Sequence, residues 1–180
     1  MRIALKDTIA IGIDYQDRLI PAMDGKETLI KNARVLFQGL EAMEMPLIFS
    51  RQYPKGIGDT VAEIREVTGT AKVFDKMSFS CWENKELRAA IEAHTPKNVI
   101  LSGTEAHVCV LQTAIDLQAA GYQVIYVADC VGSRKAVDKK YGIKRAKQEG
   151  ALIVTYEQLL FELLSGAESP YFKAVSKLVK

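Results

Sequence analysis

Histidine is scarce in this chain, with 2 residues among 180, and cysteine stops at 3. His94 and His107 are too few for a histidine-rich metal centre, so the sequence predicts no bound metal and no cofactor. An odd number of cysteines does not suggest a disulfide framework, and a reducing compartment is the simpler expectation. The formal net charge is only +2, which argues against a dedicated nucleic-acid or membrane surface and leaves room for no more than a local patch. No apolar run approaches transmembrane length, and Lys6 and Asp7 interrupt the stretch Ile3 to Ala10 where a signal-peptide core would lie. No Gly-x-Gly-x-x-Gly or Walker run follows the first apolar segment, which weakens a nucleotide-binding reading. Repeats, low-complexity stretches and interior linkers are absent too. The expectation is a cytoplasmic protein.

What is present is ordinary globular material. Hydrophobic residues make up 48% of the chain and charged residues 26%, and 180 residues suit one domain, 1–180, with one sizeable core. Strand and helix patterns alternate along it. Strands are expected at about 8–14, 47–50, 72–74, 98–102, 123–128 and 151–154. Helices are expected at about 25–43, 60–67, 83–94, 107–120, 136–149 and 156–165. The first helix sets Leu29, Ala33, Leu36, Phe37 and Leu40 on one stripe, and Pro54, Gly56 and Gly58 mark a loop at 52–58. The last ten residues look like a peripheral helix lying on the surface or on a neighbouring subunit. This spacing predicts a three-layer α/β/α sandwich with a central, mostly parallel, Rossmann-like sheet.

Three residues stand at the carboxyl ends of expected strands, where ligands bind in open parallel sheets. Cys109 lies in Val99-Ile-Leu-Ser-Gly-Thr-Glu-Ala-His-Val-Cys109, where an apolar strand breaks at Ser102 and Gly103 before a helix pattern begins. A thiol in the first turn of a helix meets unpaired N–H groups and the positive dipole end, which favour a thiolate below the usual pKa of about 8.5. Asp14 ends the apolar strand Ile9 to Ile13, and Lys76 follows Val73-Phe-Asp. A carboxylate can take the thiol proton and return it to a leaving group, and a lysine beside it fixes both charge states. Each has a plainer reading: a buried structural cysteine, a helix N-cap and a solvated surface charge.

The order Asp, Lys, Cys and its local contexts resemble the isochorismatase-like cysteine hydrolases, the superfamily of nicotinamidase and carbamoylsarcosine amidase. The matching segments are Ile13-Asp-Tyr-Gln-Asp17, Lys76 followed by Ser80, Gly103-Thr-Glu-Ala-His-Val-Cys-Val110 and Val127-Ala-Asp-Cys-Val-Gly-Ser-Arg134. Gly103 to Cys109 and the tail from Pro170 to Lys180 are most similar to the isochorismatase-domain-containing proteins, whose substrates are mostly unassigned. The resemblance implies Cys109 as nucleophile, Asp14 as general base and then acid, and Lys76 as the residue that holds their charges. It also implies a non-proline cis peptide just before Glu105, with the N–H groups of Glu105 and Cys109 as an oxyanion hole. The reaction it implies is attack on a carbonyl or imine carbon, loss of ammonia or an amine, and hydrolysis of the acyl-enzyme. The thiol argues against isochorismatase itself, whose chemistry is non-covalent. The resemblance also implies a small-molecule substrate and a homo-oligomer, dimer or higher.

One departure bears on the substrate. Nicotinamidases carry a metal-binding Asp-x-His-Pro segment after the second strand, and here the matching residues are Arg51-Gln52-Tyr53-Pro54. Metal and nicotinamide both lose support. Candidate pocket residues are Tyr15, Gln16, Tyr53, Phe79, Trp82 and His107. Gln16 is as well suited to orienting Asp14, Phe79 and Trp82 to a core or interface, and His107 to a helix start. Arg51 and Arg134 fit either an anionic substrate or solvated loop charge, and Cys81 and Cys130 read as structural. The remaining alternative is a catalytically silent scaffold of the same fold.

Overall fold

A computed structural model describes residues 2–180. Its sheet has six strands: β1 (Thr8–Ile13), β2 (Leu47–Gln52), β3 (Lys72–Lys76), β4 (Asn98–Thr104), β5 (Gln123–Gly132) and β6 (Leu152–Val154). The spatial order is β3-β2-β1-β4-β5-β6, and every neighbouring pair is parallel. β1 and β4 are buried at every position, as continuous apolar strands covered on both faces should be. β3 lies at an edge and is correspondingly open to solvent.

Side chains of successive strand residues point to opposite faces, and this alternation makes two cores. Ala10, Phe49, Ile100 and Ile125 meet α1 (Lys26–Ala42), α3 (Ala62–Arg65), α7 (Tyr156–Leu164) and α8 (Phe172–Leu178). Ile9, Ile11, Leu101 and Val124 meet α4 (Lys85–Glu92), α5 (Cys109–Ala119) and α6 (Ala136–Gln148). The result is the expected three-layer arrangement. The stripe Leu29, Ala33, Leu36, Phe37 and Leu40 is buried in α1 as its spacing predicts. The terminal helix α8 lies on its own chain, with Val175 buried in the α1 core.

Several boundaries differ from the sequence reading, and β2 and β3 each run two residues further than expected, to Gln52 and Lys76. β4 does not break at Ser102 but continues through Gly103 to Thr104. Gly103 has φ +130, and a Cβ there would sit 2.0 Å from the carbonyl oxygen of Ile13. The glycine therefore marks the close approach of β1 to β4, not the end of a strand. β5 runs on to Gly132 with a shifted register against β4, and the expected loop at 52–58 contains one helical turn, α2 (Pro54–Ile57).

The chain builds β1, β2 and β3 outward on one side, then returns to place β4, β5 and β6 on the other. The strand order thus reverses between β1 and β4, the crevice where parallel sheets of this kind bind ligands.

Candidate active site

Asp14 follows β1 directly, with φ +50 and its N–H bonded to the Ser50 carbonyl of β2. Its backbone carbonyl accepts from the Thr104 hydroxyl at 2.6 Å, which pins the β1 end to the β4 end. Lys76 is the last residue of β3, two strands away, and its Nζ lies 2.7 Å from Asp14 Oδ2. Both side chains have 0% exposure. The ammonium also donates to Gln52 Oε1 at 2.7 Å and to the Ser78 carbonyl at 3.3 Å. All three of its protons are engaged, so Lys76 acts by charge and offers no free donor. Asp14 Oδ1 accepts from the Ser50 hydroxyl at 2.7 Å.

Cys109 opens α5 and is almost wholly buried. Its thiol lies close enough to Asp14 and Lys76 to feel both charges. The three residues expected to act together are therefore brought together. The thiolate expected from the helix start is not: burial, followed by the Asp14 charge, pushes the Cys109 thiol up to about 12, and Lys76 only partly offsets this. Helix-terminus stabilisation is worth less than the desolvation of a buried anion next to a carboxylate. The resting sulfur is a protonated thiol with a base beside it. For Lys76 burial works to lower the pKa, but the Asp14 carboxylate and both neighbouring thiols raise it further, so the ammonium persists.

Sequence reading missed four members of this cluster. Ser50 and Gln52 hold Asp14 and Lys76, as above. Cys81, read as structural, is fully buried in the core and also lies close enough to the ion pair to feel its charges, with its N–H on the Thr113 hydroxyl at 2.9 Å. That hydroxyl donates in turn to the Cys109 carbonyl at 2.7 Å and fixes the first turn of α5. Burial raises Cys81 to about 11, and Cys130, on the opposite face, is raised well above its ordinary value by the same cause.

These thiols make stability sensitive to alkali. The unfolded chain releases thiol protons from about pH 8.5, whereas the native chain retains them. The unfolded state thus binds fewer protons, and native stability falls as pH rises from about 8.5 toward the folded values. Urea midpoints should be level between about pH 7 and 8 and drop through pH 9 and 10; a midpoint that rises over that interval would contradict the burial of these groups.

The Thr104–Glu105 peptide bond is cis. Among the described residues, the N–H groups of Glu105 and Cys109 donate to no backbone carbonyl. The Glu105 carboxylate turns the other way and takes the Arg134 Nε at 3.0 Å and the Arg134 N–H at 3.1 Å. Burial alone would raise its pKa, but the Arg134 hydrogen bonds and charge outweigh this and hold it low.

The pocket candidates separate. Tyr15 is fully buried on Phe37, with its hydroxyl donating to the Cys130 carbonyl at 2.7 Å, so it belongs to the core. Trp82 packs edge-on against Tyr122, with Arg88 5.0 Å above its ring. Gln16 is fully buried and bonded to the backbone of Gln52 and Gly58. His107 Nδ1 pairs with the Ser133 hydroxyl at 3.0 Å. Tyr53 and Phe79 remain exposed, at 47% and 52%. Arg51 is paired with Asp59 and Asp75, each at 2.8 Å, so its charge is already met by two carboxylates. A groove of about 600 Å³ lined by Tyr53, Pro54, Met77 and Ser78 reaches Lys76. Another depression of about 400 Å³, by Met45, Thr70 and His94, lies toward the amino-terminal ends of β2 and β3, away from the thiol. Among the described residues no three His, Cys, Asp or Glu side chains are grouped to hold a metal ion.

The Isochorismatase domain family model matches residues 8–158, which include every member of this cluster. The chain belongs to the isochorismatase family. Isochorismatase domain-containing protein 1 of Salmo salar is 36% identical over 96% of this chain and 61% of its own length. The Danio rerio protein of the same name is 38% identical over 93% of this chain and 59% of its own. The chain thus spans about three-fifths of those two isochorismatase relatives. Among solved structures, the MAR1 ribonuclease of Caenorhabditis elegans superposes with a TM-score of 0.94 at 34% identity, covering 99% of this chain and 92% of that one. The YcaC gene product of Escherichia coli, called an octameric hydrolase of unknown specificity, has a TM-score of 0.93 at 21% identity and covers 99% and 89%. It shares the isochorismatase-type fold. No helix of the described residues is long and apolar enough to cross a membrane.

Proposed function

We propose that this isochorismatase-family chain is a metal-independent cysteine hydrolase of small amides or related C–N bonds. The supporting observation is the fully buried Asp14–Lys76 pair beside the buried Cys109, at the point where the strand order reverses. An ion pair in that place is costly unless it does something, and a thiol with a carboxylate on one side is arranged for proton transfer.

The Cys109 sulfur attacks the carbonyl carbon while its proton passes to Asp14. The N–H groups of Glu105 and Cys109 receive the developing oxyanion. Collapse of this intermediate breaks the C–N bond, and Asp14 returns the proton to the departing nitrogen. A water molecule, deprotonated by Asp14, then attacks the thioester; the carboxylic acid leaves and the Cys109 thiol reforms. Lys76 keeps Asp14 a ready acceptor and holds the site neutral overall. Tyr53 and Phe79 form the exposed apolar rim that would meet the substrate. Tyr53, Met77 and Phe79 also lie beside the open β3 edge, which supports assembly as a homo-oligomer. Three free cysteines suit a reducing cytoplasm.

The test is a screen of small amides and ureas for released ammonia, with Cys109→Ala as the blank. Release by the parent and none by the variant is the expected result. The name of the worm relative makes RNA the rival substrate class, so a short RNA oligonucleotide belongs in the same screen. Cleavage of RNA that survives Cys109→Ala, with no amide turned over, would overturn the thiol mechanism.

A further inference from the structure

Resting on that reading, we infer that Gln52 is the positioning residue of the Asp14–Lys76 pair: a neutral amide that holds the ammonium on the carboxylate without adding charge. Gln52 and Lys76 are register partners at the ends of β2 and β3, so their side chains stand next to each other on the same face of the sheet. Gln52 is buried, yet every polar atom of it has a partner. Its Nε2 donates to the Met77 carbonyl at 2.8 Å, which forces Oε1 toward Lys76 Nζ at 2.7 Å. Its backbone is held from the other side by Gln16, whose Oε1 accepts the Gln52 N–H at 2.7 Å and whose Nε2 donates to the Gln52 carbonyl at 3.0 Å. The Gln16 side chain therefore reaches the ion pair through Gln52, while its N–H donates to the Asp14 backbone carbonyl at 2.9 Å.

The choice of an amide has an electrostatic consequence. The ammonium needs a second strong acceptor to remain charged where its side chain is fully buried. A carboxylate in that place would supply one, but it would leave one cation facing two anions beside the thiol. The Cys109 thiol would then ionise even less readily, since a further negative charge disfavours the thiolate. An apolar side chain would remove the acceptor and release Nζ from its fixed direction. A neutral amide, with its NH₂ group tied to Met77, keeps the cation and leaves a single anion to act as base.

The experiment measures the iodoacetamide rate at Cys109 against pH, by mass spectrometry, for the parent, Gln52→Glu, Gln52→Met and Lys76→Met. Gln52→Glu should move the rising limb to higher pH, with labelling about tenfold slower at fixed pH for a one-unit shift. Gln52→Met should be slower in the same sense by a few-fold. Profiles for both Gln52 variants that superimpose on the parent, while Lys76→Met slows labelling, would overturn the role of Gln52 and leave the triad standing. An unchanged profile for Lys76→Met as well would remove the hydrolase reading itself. Slow labelling of Cys81 and Cys130 in each variant shows that the fold is intact, and Gln52→Glu, which keeps the shape, decides if Gln52→Met unfolds.

Discussion

Asp14→Asn is expected to abolish turnover while making the Cys109 sulfur react faster with iodoacetamide. The two effects have opposite signs because Asp14 does two things to the thiol. As a base it accepts the proton, which a carboxamide cannot do, and loss of a positioned general base costs about 10²–10⁴ in rate. As a charge it opposes the thiolate and is one of the causes that raise the thiol to about 12. Without that charge Lys76 faces the sulfur alone, and the thiolate gains a cation in a buried site. Labelling at pH 8 should accelerate by about tenfold for each unit by which the thiol pKa falls. The backbone should accept the change, since asparagine tolerates the left-handed φ of +50 that this position requires. Its amide can also meet both Ser50 Oγ and Lys76 Nζ, the present partners of the carboxylate. An Asp14→Asn protein that labels more slowly than the parent and still turns over a tenth as fast would show that Asp14 is not the base.

The fold was legible because its signals are local. Ile9 to Ile13 and Val99 to Leu101 are continuous apolar runs, and such runs belong in central parallel strands covered on both faces. The stripe in α1 repeats at helical spacing, and Gly121 and Gly150, both at positive φ, end α5 and α6 where glycine should. Asp14 was legible for a similar reason, as a polar residue at the mouth of an apolar strand, whereas Lys76 ends the short edge strand β3 and Cys109 opens the helix that follows β4. Gly103 misled because a glycine that ends a strand and one that admits a neighbouring backbone look the same in one dimension.

What stayed hidden depends on pairing. Ser50 and Gln52 are ordinary polar residues of β2, and only the registers Ile13↔Ser50 and Gln52↔Lys76 make them partners of the ion pair. A signal did exist, since both sit at the carboxyl end of a strand next to the segment that departs from the metal-binding pattern. The thiol pKa also could not be read. It is set by burial, which outweighs the helix start that the sequence does reveal. The aromatic candidates failed in part for a third reason: composition names a side chain, while its direction decides whether Tyr15 or Trp82 faces substrate, core or a neighbouring helix.

Lys76→Met should lower stability by about 3–5 kcal/mol, the usual cost of leaving one member of a buried ion pair without its partner. In a chain of this size that corresponds to a fall in Tm on the order of 10 °C. Methionine fills similar volume, so the loss comes from the stranded Asp14 carboxylate, left with only the Ser50 hydroxyl. Thermal unfolding of the parent and the variant at pH 7.5 measures the deficit. Combining Lys76→Met with Asp14→Asn removes both charges, and the double variant should recover most of the lost stability at neutral pH, because the coupling between two residues in contact is far from additive. A double variant no more stable than Lys76→Met alone would mean that the two charges do not share one buried site.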